Sequence, residues 1–162
     1  MAATDAIGKP TPPQTVVLER GPASNFARAV KDISPIYADP RAAQEAGFDA
    51  IPAPPTYSFA WHHWGEFPEL QPEGARGSHP MIEAMGALLA NGGLILHGGQ
   101  EFVYHRQPLV GDVLTAHGSV TDVYDKTSSG GKTMTFIITE TQWRDADGNP
   151  VVTSTMTLLH RA

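Results

Sequence analysis

The rhythm of apolar and polar positions changes near Leu94: upstream, apolar residues recur at helical spacing in short blocks, and downstream they alternate. TVVLE (15–19) predicts a short strand. GPASNFARAVKD then sets Phe26, Ala27 and Val30 on one helical face, with Ser24 as N-cap, and the helix closes near Asp32. Pro35 and the Tyr-Ala-Asp-Pro turn keep residues 32–39 out of regular helix. PRAAQEAG follows with Pro40 at a helix start and Gly47 as its stop. IPAPPT (51–56) is extended, because a residue before proline is pushed out of the helical region. TYSFAWHHWGEF predicts an aromatic-rich helix, apolar nearly all round, as in a helix buried against a sheet. MIEAMGALLAN predicts another, ended by Asn91-Gly92-Gly93.

From Leu94 onward EFVYHR, DVLTAHGSVTDVYD, KTMTFIITETQWRD and PVVTSTMTLLHR read as strands separated by turn-forming stretches. Leu114, Ala116, Val120 and Tyr124 share one parity, as do Val152, Met156 and Leu158, which is the alternation of an antiparallel meander with one covered face. The layout is α+β: a strand, a helical half, then long strands around a long apolar helix. Residues 1–13 carry small residues and prolines without periodicity and read as a flexible tail, leaving a single domain over 14–162. An insertion falls near 67–91, of which the Pro/Gly-rich stretch 67–80 is expected to act as a lid.

A chain of 162 residues supports one domain with a real core. The absence of cysteine excludes disulfides, thiolate metal sites and a thiol nucleophile, and fits a cytoplasmic setting. A net charge of −6 without a Lys/Arg cluster argues against nucleic acid, and no apolar run is long enough for a membrane span. Adjacent His62 and His63 do not make a metal pair, because helical neighbours point about 100° apart. No metal or cofactor is expected.

Three segments carry a resemblance: GGQEFVYHRQPLVGD (98–112), AGFDAIPAPPTYSF (46–59) and KDISPIYADPRAAQEAGF (31–48). Together, over about Val16 to Arg161, they resemble the MaoC-like dehydratases and (R)-specific enoyl-CoA hydratases. The resemblance implies a hot-dog fold, a curled antiparallel sheet around a long central helix. It also implies a 2-enoyl or 3-hydroxyacyl thioester of CoA or acyl carrier protein as substrate, and a homodimer or a heterodimer with a second hot-dog chain. In that family a loop similar to Gly-Asp-x-Asn-Pro-aliphatic-His supplies the catalytic pair. Here Asp32 matches the acid, Ser34 replaces the asparagine, and Tyr37 stands where the histidine would be.

Syn hydration needs one group to take a proton from water and another to deliver one to the α-carbon; imidazole titrates near neutrality, whereas a free phenol does so near 10. His97 is therefore the candidate replacement imidazole, on the strand that by resemblance passes the thioester, with Gly98, Gly99 and Gln100 lining the substrate. The implied thioester donor is a backbone N–H at the start of the central helix. Pro55 has none, so Thr56 would take that part. Arg106 is the candidate for a CoA phosphate. The Ala-Pro-Pro-Thr opening is similar to mycolic-acid-type dehydratase subunits, in which one chain shapes the acyl tunnel and its partner carries the Asp/His loop. Three readings stay open: a hydratase/dehydratase, a non-catalytic acyl-binding subunit, and a hot-dog thioesterase.

Overall fold

The computed structural model describes residues 3–162. Five antiparallel strands form one sheet in the order β1-β3-β4-β5-β2: β1 (Gln14–Val17), β2 (Leu94–Tyr104), β3 (Val113–Thr127), β4 (Thr133–Arg144) and β5 (Pro150–Arg161). The expected meander is present, and β2 closes its far edge by pairing with β5. Leu114, Ala116 and Val120 are buried as the alternation predicts. Tyr124 is not on that buried set, because a bulge between Val120 and Asp122 shifts the parity and turns Val123 inward.

The described residues hold four α-helices, α1 (Arg20–Ala29), α2 (Pro40–Glu45), α3 (His62–Gly65) and α4 (Pro80–Leu89); α3 and α4 lie against the sheet, α1 packs its Ala23 into the core, and α2 packs on the turn at Pro35–Tyr37. The expected single helix over TYSFAWHHWGEF is divided into a 3-10 turn at Tyr57–Phe59 and the one-turn α3. Tyr, Ser, Phe, His and Trp are middling helix formers, and Phe67 is drawn into extended geometry by Pro68. The helical layer therefore comes in two pieces, α3 and α4, rather than one long rod. Gly65 lets α3 rest directly on β1, since a Cβ there would stand 2.4 Å from the Val17 carbonyl oxygen.

The core has two parts. Val16, Leu18, Tyr57, Leu114 and Val152 pack around Trp61 and Trp143, whose rings meet edge-on at 5.0 Å. Met81, Ala84 and Met85 of α4 pack with Val120, Val123 and Ile137, and Ala6 joins them. That contact corrects the expected tail over 3–13, while residues 1 and 2 of it lie outside the described residues. Ala6 is fully buried, Gly8 N–H donates to the Val120 carbonyl at 2.8 Å, and Thr11 N–H donates to the Gly118 carbonyl at 2.8 Å, so small residues and prolines here run along β3 as an added edge.

Candidate functional site

The Asp32 loop is built by the end of α1. Lys31 N–H donates to the Arg28 carbonyl and Asp32 N–H to the Ala27 carbonyl, the two bonds of a Schellman motif, with Lys31 in the left-handed region at φ 63 where glycine is usual. Asp32 Oδ1 then accepts from Ser34 N–H at 3.0 Å, which fixes the turn into Pro35. Ser24, expected as an N-cap, sits inside α1, and its hydroxyl donates to the Tyr37 carbonyl at 2.5 Å. Val30 is also not on the packed face: Ala23 and Ala27 are buried while Val30 is exposed. Asp32, Ser34 and Tyr37 line a small depression together with Ala27 and Arg28. Burial raises the Tyr37 phenol above its ordinary range, and the Asp32 carboxylate pushes it further the same way.

His97 is not part of that depression. It stands on exposed β2 at a bulge between His97 and Gly99, its ring edge-on to Phe59 at 5.4 Å. Gly98 packs its backbone against Thr157, where a Cβ would lie 3.3 Å from the carbonyl oxygen; Gly99 is half-buried. Pro55 is exposed, and Thr56 adopts φ 65, a strained value for a β-branched residue. Thr56 N–H donates to the Tyr104 hydroxyl at 3.1 Å, so an incoming carbonyl would have to displace that hydroxyl.

Arg106 is employed within the chain. Its guanidinium grips Asp112 through Nη1 at 2.7 Å and Nη2 at 3.1 Å, with Asp145 at 3.7 Å, and the Asp112 hydrogen bond chiefly raises its pKa. Asp112 also accepts from Leu109 N–H at 2.9 Å, closing the Gly-Asp turn. The same turn holds IPAPPT: Ala53 N–H donates to the Pro108 carbonyl and Val110 N–H to the Ile51 carbonyl, each at 2.8 Å. Ala53 supplies one of the few N–H groups that three prolines leave in this stretch.

Between the two core clusters lies a cavity of about 310 Å³, bordered by Trp143 and Ala116 from one and Met81 from the other. Its floor is the inner parity of β4, Thr139 and Thr141, with Ser154 of β5 and Gln100 of β2; Ser58, Phe59, His62 and His79 form the roof. Burial lowers the pKa of both histidines, assisted at His62 by the neighbouring His63 and opposed at His79 by a backbone hydrogen bond, so both imidazoles are neutral near pH 7. The His62 and His63 rings lie 3.9 Å apart, His62 half-buried and His63 exposed. Of the residues expected at the site, Asp32 and Tyr37 share the depression and Gln100 lines the cavity. His97 and Arg106 belong to neither.

The sequence reading missed Ser58 and His79 as cavity residues. A signal was there: the inward parity of β4 reads Thr135, Ile137, Thr139, Thr141, Trp143, and hydroxyls facing a core mark a polar hollow.

A curled antiparallel sheet with helices on its concave side defines a hot-dog fold, here with an acid-bearing loop after the first helix. The chain belongs to the family described as FAS1-like, dehydratase domain region, whose model matches residues 5–154. It is similar to a "UPF0336 protein" of Saccharopolyspora erythraea, 31% identical over 152 residues covering 94% of this chain and 85% of that one. It is also similar to a "Probable enoyl-CoA hydratase alpha subunit" of Thermomonospora curvata, 29% identical over 83% of this chain but only 42% of that protein. Among solved structures, the HadBC (3R-hydroxyacyl-ACP dehydratase) complex of Mycobacterium tuberculosis matches with a TM-score of 0.70 and 23% identity, over 97% of this chain and 98% of that one. That likeness establishes the fold. Among the described residues no helix is long and apolar enough to cross a membrane, and no three His, Cys, Asp or Glu side chains cluster to hold a metal.

Proposed function

We propose that this chain is the acyl-accommodating subunit of a two-chain hydratase/dehydratase acting on 2-enoyl and 3-hydroxyacyl thioesters of CoA or acyl carrier protein. The observation that carries the reading is Tyr37 beside Asp32. A phenol held above its ordinary pKa stays protonated at neutral pH, and the depression it shares with Asp32 has no imidazole in its lining. Asp32 can orient water. Taking the water's proton as its oxygen adds to the β-carbon, and returning one to the α-carbon, needs the group that Tyr37 replaces. A second hot-dog chain supplies it.

The outer edge of β2 supports such a partner: eleven residues long, it exposes Leu94, Leu96 and Val103, and an unpaired apolar edge is a pairing surface. The HadBC complex is heteromeric by name, and the Thermomonospora relative is named as an alpha subunit; both favour a heterodimer over a homodimer.

Hydration of crotonyl-CoA by the purified chain, followed by loss of enoyl absorbance with free thiol measured in parallel, tests the reading. The isolated chain is expected to be silent, and Tyr37→His to give a detectable rate. Rapid hydration by the unaltered chain that survives Asp32→Asn rejects the proposal, and thiol release without hydration assigns the chain to thioester hydrolysis. Light scattering at micromolar concentration checks the assembly.

A further inference from the structure

With Arg106 held by Asp112, a phosphate-bearing ligand must find its cations elsewhere, and α1 offers two. Arg20 and Arg28 stand eight residues apart, about 12 Å along the helix axis, and border one groove together with Gly21, Ser24 and Asn25. Arg20 Nη2 donates to the Ala38 carbonyl at 2.6 Å, which anchors that guanidinium. The side chains of Arg28 and Asn25 have no hydrogen-bond or ion-pair partner among the described residues. A guanidinium presents a fork that matches phosphate oxygens, so two of them suit a ligand with phosphates at two positions.

The groove continues round the helix. Gly21 and Asn25 also border a second hollow, whose other wall is Trp64 of α3 and whose base includes Phe26 and Ala29. Space is open where a Gly21 Cβ would stand, so no side chain divides the two there. No Asp or Glu belongs to either lining. Trp64 is 51% exposed while Trp61 and Trp143 are buried, and the Tyr57 ring lies within 19° of parallel to it. An open indole is a stacking platform for a flat base, and the Asn25 amide offers the donor and acceptor that match an adenine edge. An apolar occupant would leave both guanidiniums unpaired, and inorganic phosphate would leave Trp64 bare.

We infer that the outer face of α1 is an adenine-nucleotide site, with the base on Trp64, its edge on Asn25 and the phosphates on Arg20 and Arg28. Its ligand is the nucleotide of CoA, because the arginine groove adjoins the depression of Asp32 and Tyr37, the two sharing Ser24, Arg28 and Ala38. The choice of CoA rests on the acyl-thioester reading above. The arm of an acyl carrier protein brings one phosphate and no base, so it would leave Trp64 and one guanidinium without a partner.

Calorimetric titration of the chain with adenosine 3′,5′-bisphosphate, ADP, CoA, hexanoyl-CoA and hexanoyl-phosphopantetheine tests it, with tryptophan fluorescence read in parallel. Hexanoyl-CoA is expected to bind about tenfold more tightly than hexanoyl-phosphopantetheine, and the bisphosphate alone to bind more tightly than ADP and to quench the fluorescence. Trp64→Ala should abolish the quench and weaken the bisphosphate about tenfold. Arg28→Gln, at an exposed position that leaves the fold intact, should weaken it about as much and flatten its salt dependence. Equal binding of the two hexanoyl thioesters overturns the inference while the acyl-binding reading stands. ADP binding as tightly as the bisphosphate overturns the assignment to CoA, and nucleotide binding unchanged in both variants overturns the placement. Hexanoyl-CoA binding no more tightly than CoA rejects the acyl-binding reading, while binding of the bisphosphate that depends on Trp64 and Arg28 upholds the nucleotide site.

Discussion

Lys31 occupies the left-handed position of the α1 Schellman motif, and replacing it with glycine should stabilise the protein. A side chain in that region costs about 1–2 kcal/mol relative to glycine. Glycine returns about 0.5–1 kcal/mol of this through the greater freedom of the unfolded chain. No hydrogen bond is lost, because the motif uses the Lys31 and Asp32 backbone amides, and the side chain is exposed. The net gain for Lys31→Gly is therefore about 0.5–1 kcal/mol, or roughly 1–4 °C in melting temperature for a domain of this size. Lys31→Ala keeps the positive φ and a Cβ, so it should show no gain. Thermal and urea unfolding of the three proteins side by side measure both effects. A melting temperature lowered by Lys31→Gly, or raised equally by Lys31→Ala, would refute the argument that φ 63 carries the strain.

Other expectations follow from the same geometry. Asp112→Ala removes the acceptor of Leu109 N–H and the partner of the Arg106 fork, and should cost about 2–3 kcal/mol, the pair counted low because it is partly exposed; Asp112→Asn, which keeps an acceptor for Leu109, should cost less, and urea midpoints will rank them. Gly65→Ala places a Cβ against the Val17 backbone and should cost at least the 1–3 kcal/mol typical of overpacking, whereas Gly86→Ala, with open space around it, should be harmless by the same unfolding measurement. His62 and His79 have folded-state pKa values below the ordinary 6.5 or so, so the unfolded chain binds more protons as pH falls below that value. Stability should therefore fall as pH drops below about 6.5, and His62→Gln with His79→Asn should flatten that drop; an unchanged slope in the double variant would remove these groups as its cause.

The strands were legible because β3 and β4 obey a period of two for much of their length, β5 is rich in Val and Thr, and the turns between them carry Gly, Asp and Asn. The bulge at Thr121 was not, since it depends on how β4 seats against β3, and it moved the inward position from Tyr124 to Val123. The segment 3–13 looked featureless because its order comes from backbone bonds to β3 and one buried alanine, neither of which leaves a periodic trace. The loop from Asp32 to Tyr37 was found by resemblance, and its place beside the end of α1 agrees with what Pro35 and Asp32 dictate locally. The surroundings of His97 and Arg106 were not legible for one reason: the sequence shows a residue's chemistry but not its neighbours, and here those neighbours are Phe59 and Asp112.

The two rims of the sheet are finished differently. At β1 the Gln71 carboxamide accepts from Thr15 N–H at 3.0 Å and donates to the Thr15 carbonyl at 2.8 Å, imitating the next strand with a side chain. Among the described residues nothing comparable caps β2. A sheet that can be extended from one side only cannot propagate: once two such rims meet, neither molecule has another to offer. If β2 is the partner edge proposed above, assembly through it stops at a pair, and the glutamine amide on the opposite rim keeps a protein with an open apolar strand from growing into a fibre.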